Sequence, residues 1–101
     1  MNGEELRKIA EESHRIWFER WIKKNRENFE NKLVIAAKQG YKYASIYYPV
    51  IKIESNLRNR LLDVNTKKYL KDEFNDIDVN IYEQDGLLGR IDRKIIIEFR
   101  F

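Results

Sequence analysis

An α+β fold, with a long helix followed by a small antiparallel sheet, is what this 101-residue sequence predicts from three features. The first is helical periodicity from Gly3 to Gln39 with no Gly or Pro between Gly3 and Gly40. The second is strict apolar-polar alternation in two C-terminal segments separated by turn glycines. The third is a Tyr- and Ile-rich strand between these regions, with a polar, helix-compatible stretch after it. Helices packed on one face of about three strands satisfy that order, and no domain boundary interrupts residues 1–101.

The elements follow in chain order. Asn2 is a suitable N-cap, and Glu4 and Glu5 suit the positive end of a helix dipole, so a helix is expected over 3–39. Unbroken, it would span about 55 Å, roughly twice the width of a domain this size, so part must bend, break or protrude. The polar run 23–28, with two Asn residues and no apolar anchor, is the expected break. Two apolar stripes run along it: Leu6, Ile9, Ala10, Ile16 and Trp17, then Ile22, Phe29, Leu33, Ala36 and Ala37. Gly40 reads as the left-handed residue that ends the helix.

A strand is expected over 41–48, stopped or forced to an edge by Pro49. Residues 56–75 read as helical, either two short helices or one kinked one, with Ser55 or Asn56 and then Asn65 or Thr66 as caps. Strands over 77–82 and 91–101 form a hairpin through Gln84–Gly89. Ile77, Val79 and Ile81 line one side of it with Ile91, Ile95, Ile97, Phe99 and Phe101.

Composition narrows the function. There is no cysteine, which removes thiolate nucleophiles, disulfides and Cys-type zinc sites and suits a reducing cytoplasm. The longest uncharged run, Tyr43 to Ile51, is far short of the roughly 20 apolar residues a membrane-spanning helix needs. The start, Met1-Asn2-Gly3-Glu4-Glu5, lacks the basic-then-apolar order of an export signal. Net charge is only +3, with 20 Lys plus Arg against 17 Asp plus Glu, so bulk charge does not identify a nucleic-acid partner.

No catalytic residue, metal ligand or cofactor site is expected. His14 is the single histidine and reads as a helix-flank residue; Ser13 beside it points about 100° away, which prevents a proton-sharing pair. Asp76 and Asp78 share a strand face that alternation assigns to solvent. Gly86-Leu87-Leu88-Gly89 lacks the Lys-Ser/Thr ending of a phosphate loop and reads as a hairpin tip.

The binding candidates are aromatic and apolar. Trp17, Phe18, Trp21 and Ile22 exceed one helix face, Phe18 being expected to point away from Trp21 and Ile22. Leu87 and Leu88 at an exposed tip either fold back over the sheet or meet a partner. These six residues form the expected protein interface, with homodimerisation through the first helix. The alternative is nucleic-acid binding, with Arg20, Lys23, Lys24 and Arg26 on phosphates and Tyr43 and Tyr47 stacking on bases.

The segment Asn31 to Tyr48, NKLVIAAKQGYKYASIYY, with the polar helical stretch and final hairpin after it, resembles small accessory proteins of bacteriophages. The resemblance covers about two-thirds of the chain and rests on an Ala-Ala-x-x-Gly helix-to-strand turn. It implies a noncatalytic protein that binds and blocks a host protein complex, such as a defence complex, in the host cytoplasm. The abundance of Lys and Asn, with one Pro and no Cys, is similar to phages of low-GC Gram-positive hosts.

Overall fold

The computed structural model describes every residue from Met1 to Phe101. Helix α1, Gly3–Lys38, is continuous and opens on Asn2, whose side chain accepts from the Glu5 amide at 2.9 Å. It closes at Gly40, φ 87°, where the Tyr41 amide donates to Ala36 and the Gly40 amide to Ala37. That pair of bonds is a Schellman closure, which needs a left-handed residue and so favours glycine.

The expected break over 23–28 does not occur. Asn25 donates its side-chain amide to the Trp21 carbonyl at 2.8 Å, and Arg26 pairs with Glu73 and lies 5.9 Å from the Phe74 ring centroid. A polar run can stay helical when a tertiary neighbour engages it. The length is absorbed by protrusion: residues 1–13 are all exposed, His14 is the first buried position, and the molecule is 53 Å along its longest axis.

Strand β1, Tyr43–Pro49, starts two residues later than expected because Tyr41 is taken up in the helix closure. A 3₁₀ turn at Val50–Lys52 leads to α2, Ser55–Leu62, and α3, Val64–Glu73. The polar stretch is thus two helices. Their caps differ from the expected ones: Glu54 precedes α2 without a side-chain cap, and Asp63 caps α3 by accepting from the Asn65 amide.

Strands β2, Asp78–Gly86, and β3, Gly89–Arg100, pair as far as Gly86 and Gly89, leaving only Leu87 and Leu88 in the loop. The ladder therefore runs four residues further along β2 than alternation indicated. The order is β1-β3-β2, all antiparallel, with β3 in the centre.

Alternation gives the sheet two faces. Ala44, Ile46 and Tyr48 of β1, Val79 and Ile81 of β2, and Ile95, Ile97 and Phe99 of β3 face the helices. They pack with Phe18, Trp21, Ile22, Phe29 and Leu33 of α1, Leu61 of α2 and Leu70 of α3. The other face, with Tyr43, Ser45 and Tyr47, Lys94, Ile96, Glu98 and Arg100, and Asp78, Asn80 and Tyr82, has no helix over it.

Phe18, Trp21 and Ile22 are all buried, which corrects the expectation that Phe18 points away. Three- and four-residue spacings bring side chains to the same helix face, so these three residues form one face directed at the core. Phe18 is covered by Tyr69 at 5.3 Å between ring centroids, and Trp21 by Phe29 at 5.4 Å.

His14 is also buried, contrary to its reading as a helix-flank residue. Its Nδ1 lies 3.2 Å from an Arg60 nitrogen and its Nε2 2.9 Å from the Thr66 hydroxyl. A guanidinium only donates, so Nδ1 accepts and Nε2–H donates to Thr66, which in turn donates to the Arg60 carbonyl at 2.5 Å. The chain of bonds is fully satisfied and fastens α1 to α2 and α3. Burial lowers the His14 pKa, Asp63 opposes that shift, and Arg60 adds to it.

Candidate interaction surfaces

Three uncovered surfaces bear on the expected site residues, apart from an apolar cleft lined by Leu33, Val34, Ala37, Ile77 and Phe101 at the end of α1. The first belongs to α1. With the core on one side, the earlier stripe points elsewhere: Leu6 is 54% exposed, Ile9 57% and Ile16 39%. Trp17 is half-buried, stacked 5.3 Å from both His14 and Trp21 by ring centroids, and completes that stripe. Ile9, Ser13, Ile16, Trp17, Arg20 and Arg60 line an open cleft of about 660 Å³ beside it. Arg60 is held there by its bonds to Ser13, at 3.0 Å, and to His14.

The second surface is the hairpin tip. Leu87 is fully exposed and Leu88 is 71% exposed, so neither folds back over the sheet. Neither leucine has positive φ, whereas Gly89 has φ 68°. This fits a loop in which a left-handed glycine restores the ladder after two residues without positive φ. Below the tip, Asp85 pairs with Arg93 at 2.6 Å and Glu83 with Arg58 at 2.7 Å.

The third surface is the uncovered sheet face. Ile96 is buried on it although no helix lies above, because its cross-strand neighbours are Tyr47 and Tyr82. Lys94 lies 5.1 Å from the Tyr47 ring centroid. Past Tyr47 the face continues into a cleft of about 420 Å³ whose lining includes Pro49, Ile51, Lys52, Ile91 and Lys94.

Of the expected protein-interface residues, Phe18, Trp21 and Ile22 are core, and Trp17, Leu87 and Leu88 are accessible in two separate places. The expected nucleic-acid residues also divide. Arg20, Lys23 and Lys24 are exposed on α1, and Arg26 is engaged with Glu73. Tyr43 and Tyr47 lie on the sheet face turned away from α1, so these residues do not form one site.

Sequence reasoning missed Arg60, Ile96, Tyr82 and Lys94. The run Ile95-Ile96-Ile97 was the available signal for one of them, since an unbroken apolar triplet in an alternating strand puts an isoleucine on each face.

No group of three or more His, Asp or Glu side chains is arranged to hold a metal ion, and Asp76 sits in a turn at φ 60°, two residues before β2 begins at Asp78, so the two do not share a strand face as expected. No helix is long and apolar enough to cross a membrane. No protein-family model, curated protein or solved structure matches the chain.

Proposed function

We propose that this protein is a noncatalytic protein-binding module whose principal docking surface is the exposed stripe of Leu6, Ile9, Ile16 and Trp17 on α1. The observation that supports it is the protrusion of that helix end, with Leu6 and Ile9 more than half exposed and Ile16 partly so. Full burial of an aliphatic side chain of this size is worth about 1.5–3 kcal/mol, so covering the stripe would supply several kcal/mol of association free energy. The tip leucines, Leu87 and Leu88, form a second contact surface in this reading.

The class of partner rests on sequence. The likeness of Asn31–Tyr48 to bacteriophage accessory proteins supports a host protein complex as the target, bound stoichiometrically in the cytoplasm. Self-association through the same stripe belongs to the reading, because an apolar helix face can pair with its own copy before it meets another protein.

The test compares wild type with a Leu6→Asp, Ile9→Asp, Ile16→Asp variant in sedimentation and in capture from host lysate. All three positions are exposed, so the variant keeps its circular dichroism spectrum. The expected result is loss of self-association or of the captured partner in the variant alone. A wild type that sediments as a monomer at high micromolar concentration and captures the same proteins as the variant overturns the proposal.

A further inference from the structure

The uncovered sheet face combines two features that one ligand chemistry would use together. It presents tyrosine rings to solvent, with Tyr43 and Tyr47 more than half exposed and Tyr82 partly so. It also places the cations Lys94 and Lys52 at one end of that row, Lys94 against the Tyr47 ring and Lys52 in the cleft that Tyr47 borders, which Asp92 and the Asp85-paired Arg93 also line. Flat π-faces with flanking ammonium groups match bases joined by phosphates.

The spacing selects among nucleic acids. Tyr43 and Tyr47 are four residues apart on β1, about 13 Å at the usual rise of a strand. Tyr47 and Tyr82 flank β3 two strand spacings apart, about 9–10 Å. Both separations far exceed the roughly 3.4 Å step between stacked bases, so only splayed, unpaired bases can use these rings at once. A duplex, with its bases stacked inside, has nothing to offer them.

We propose that this sheet face is a binding site for single-stranded nucleic acid, in which Tyr47 and Tyr82 stack on bases and Lys52 and Lys94 contact phosphates. Elsewhere the face carries one cation against two carboxylates: Arg100 is bonded to Glu98 at 2.7 Å, and Asp78 lies opposite it on the ladder. Binding therefore depends on stacking more than on charge. About two phosphates are neutralised, which sets a shallow slope of log affinity against log salt, near −1.4. The basic α1 residues Arg20, Lys23 and Lys24 lie on the helix side and take no part. The site is independent of the docking stripe on α1.

The experiment is fluorescence anisotropy with labelled oligouridylate, oligothymidylate and a DNA duplex of matched length, using the intact chain. Wild type is expected to bind at least one single-stranded probe in preference to the duplex, with the shallow salt slope. Tyr47→Ala weakens that binding roughly 5- to 100-fold, Tyr47→Phe keeps it, and Lys52→Glu with Lys94→Glu weakens it and flattens the slope further. An Arg20→Glu, Lys23→Glu, Lys24→Glu variant binds as wild type does. Failure to bind either single strand, preference for the duplex, or affinity that survives Tyr47→Ala with Tyr82→Ala overturns the proposal. So does affinity lost in the α1 variant.

Discussion

At the scale of single residues, the decisive contacts are polar groups whose roles depend on distant parts of the chain. Thr66 illustrates this: its fully buried hydroxyl accepts from His14 and donates to the Arg60 carbonyl. Thr66→Val preserves shape but removes the hydrogen-bond partner of the imidazole N–H and leaves the Arg60 carbonyl with only the 3.4 Å bond from the Asp63 amide. A loss of about 1–3 kcal/mol is expected, measured as a reduced urea midpoint at neutral pH with the slope unchanged. A stability equal to wild type would mean the chain of bonds carries no net free energy. Arg26 makes the complementary point: a residue that sequence places among phosphate contacts is committed to Glu73 and Phe74.

At the scale of elements, α1 has two parts with different duties. From His14 onward it supplies one wall of the core, while residues 1–13 contribute no buried side chain. Removing residues 1–10 is therefore expected to leave the thermal midpoint within a few degrees of wild type, while abolishing association through the α1 stripe. A fall large enough to unfold the chain at room temperature would show that this helix end folds back onto the body. The sheet divides similarly, with one face closed by helices and the other carrying Tyr43 and Tyr47 in water around a buried Ile96.

At the scale of the whole molecule, the buried His14 and the half-buried Tyr48 bracket the pH range of stability. The His14 pKa is lowered from 6.5 by burial, so the unfolded chain holds the extra proton more readily. Stability is then complete above about pH 6.5 and falls on acidification until the folded imidazole also titrates. Tyr48 is raised from 10.0 to about 12, chiefly by burial and partly offset by a bond from Trp21. There the folded chain keeps its proton longer, so stability declines as pH rises above about 10. Urea unfolding across this range should give a plateau between those limits, and His14→Gln should remove His14's share of the acid-side slope. An acid limb of the same steepness in that variant would place the titration on other groups.

Much of this architecture was legible beforehand, and for a local reason. Asn2 as cap, Gly40 as helix end, the alternation of β2 and β3 and the glycine-flanked tip are each decided within a few residues by hydrogen-bond closure and side-chain period. Of the candidate surfaces, the tip leucines are exposed at the hairpin turn, Trp17 belongs to a cluster that is otherwise core, and Tyr43 and Tyr47 lie on the sheet face turned away from the basic α1 residues grouped with them. Periodicity finds two apolar stripes on α1, but nothing local says which one meets the sheet. Only packing decided that Phe18, Trp21 and Ile22 lie inside while Leu6, Ile9 and Ile16 stay in water. The same holds for His14, Arg26 and Ile96, because burial is a property of the neighbours that long-range folding brings to a residue, and those neighbours lie dozens of positions away.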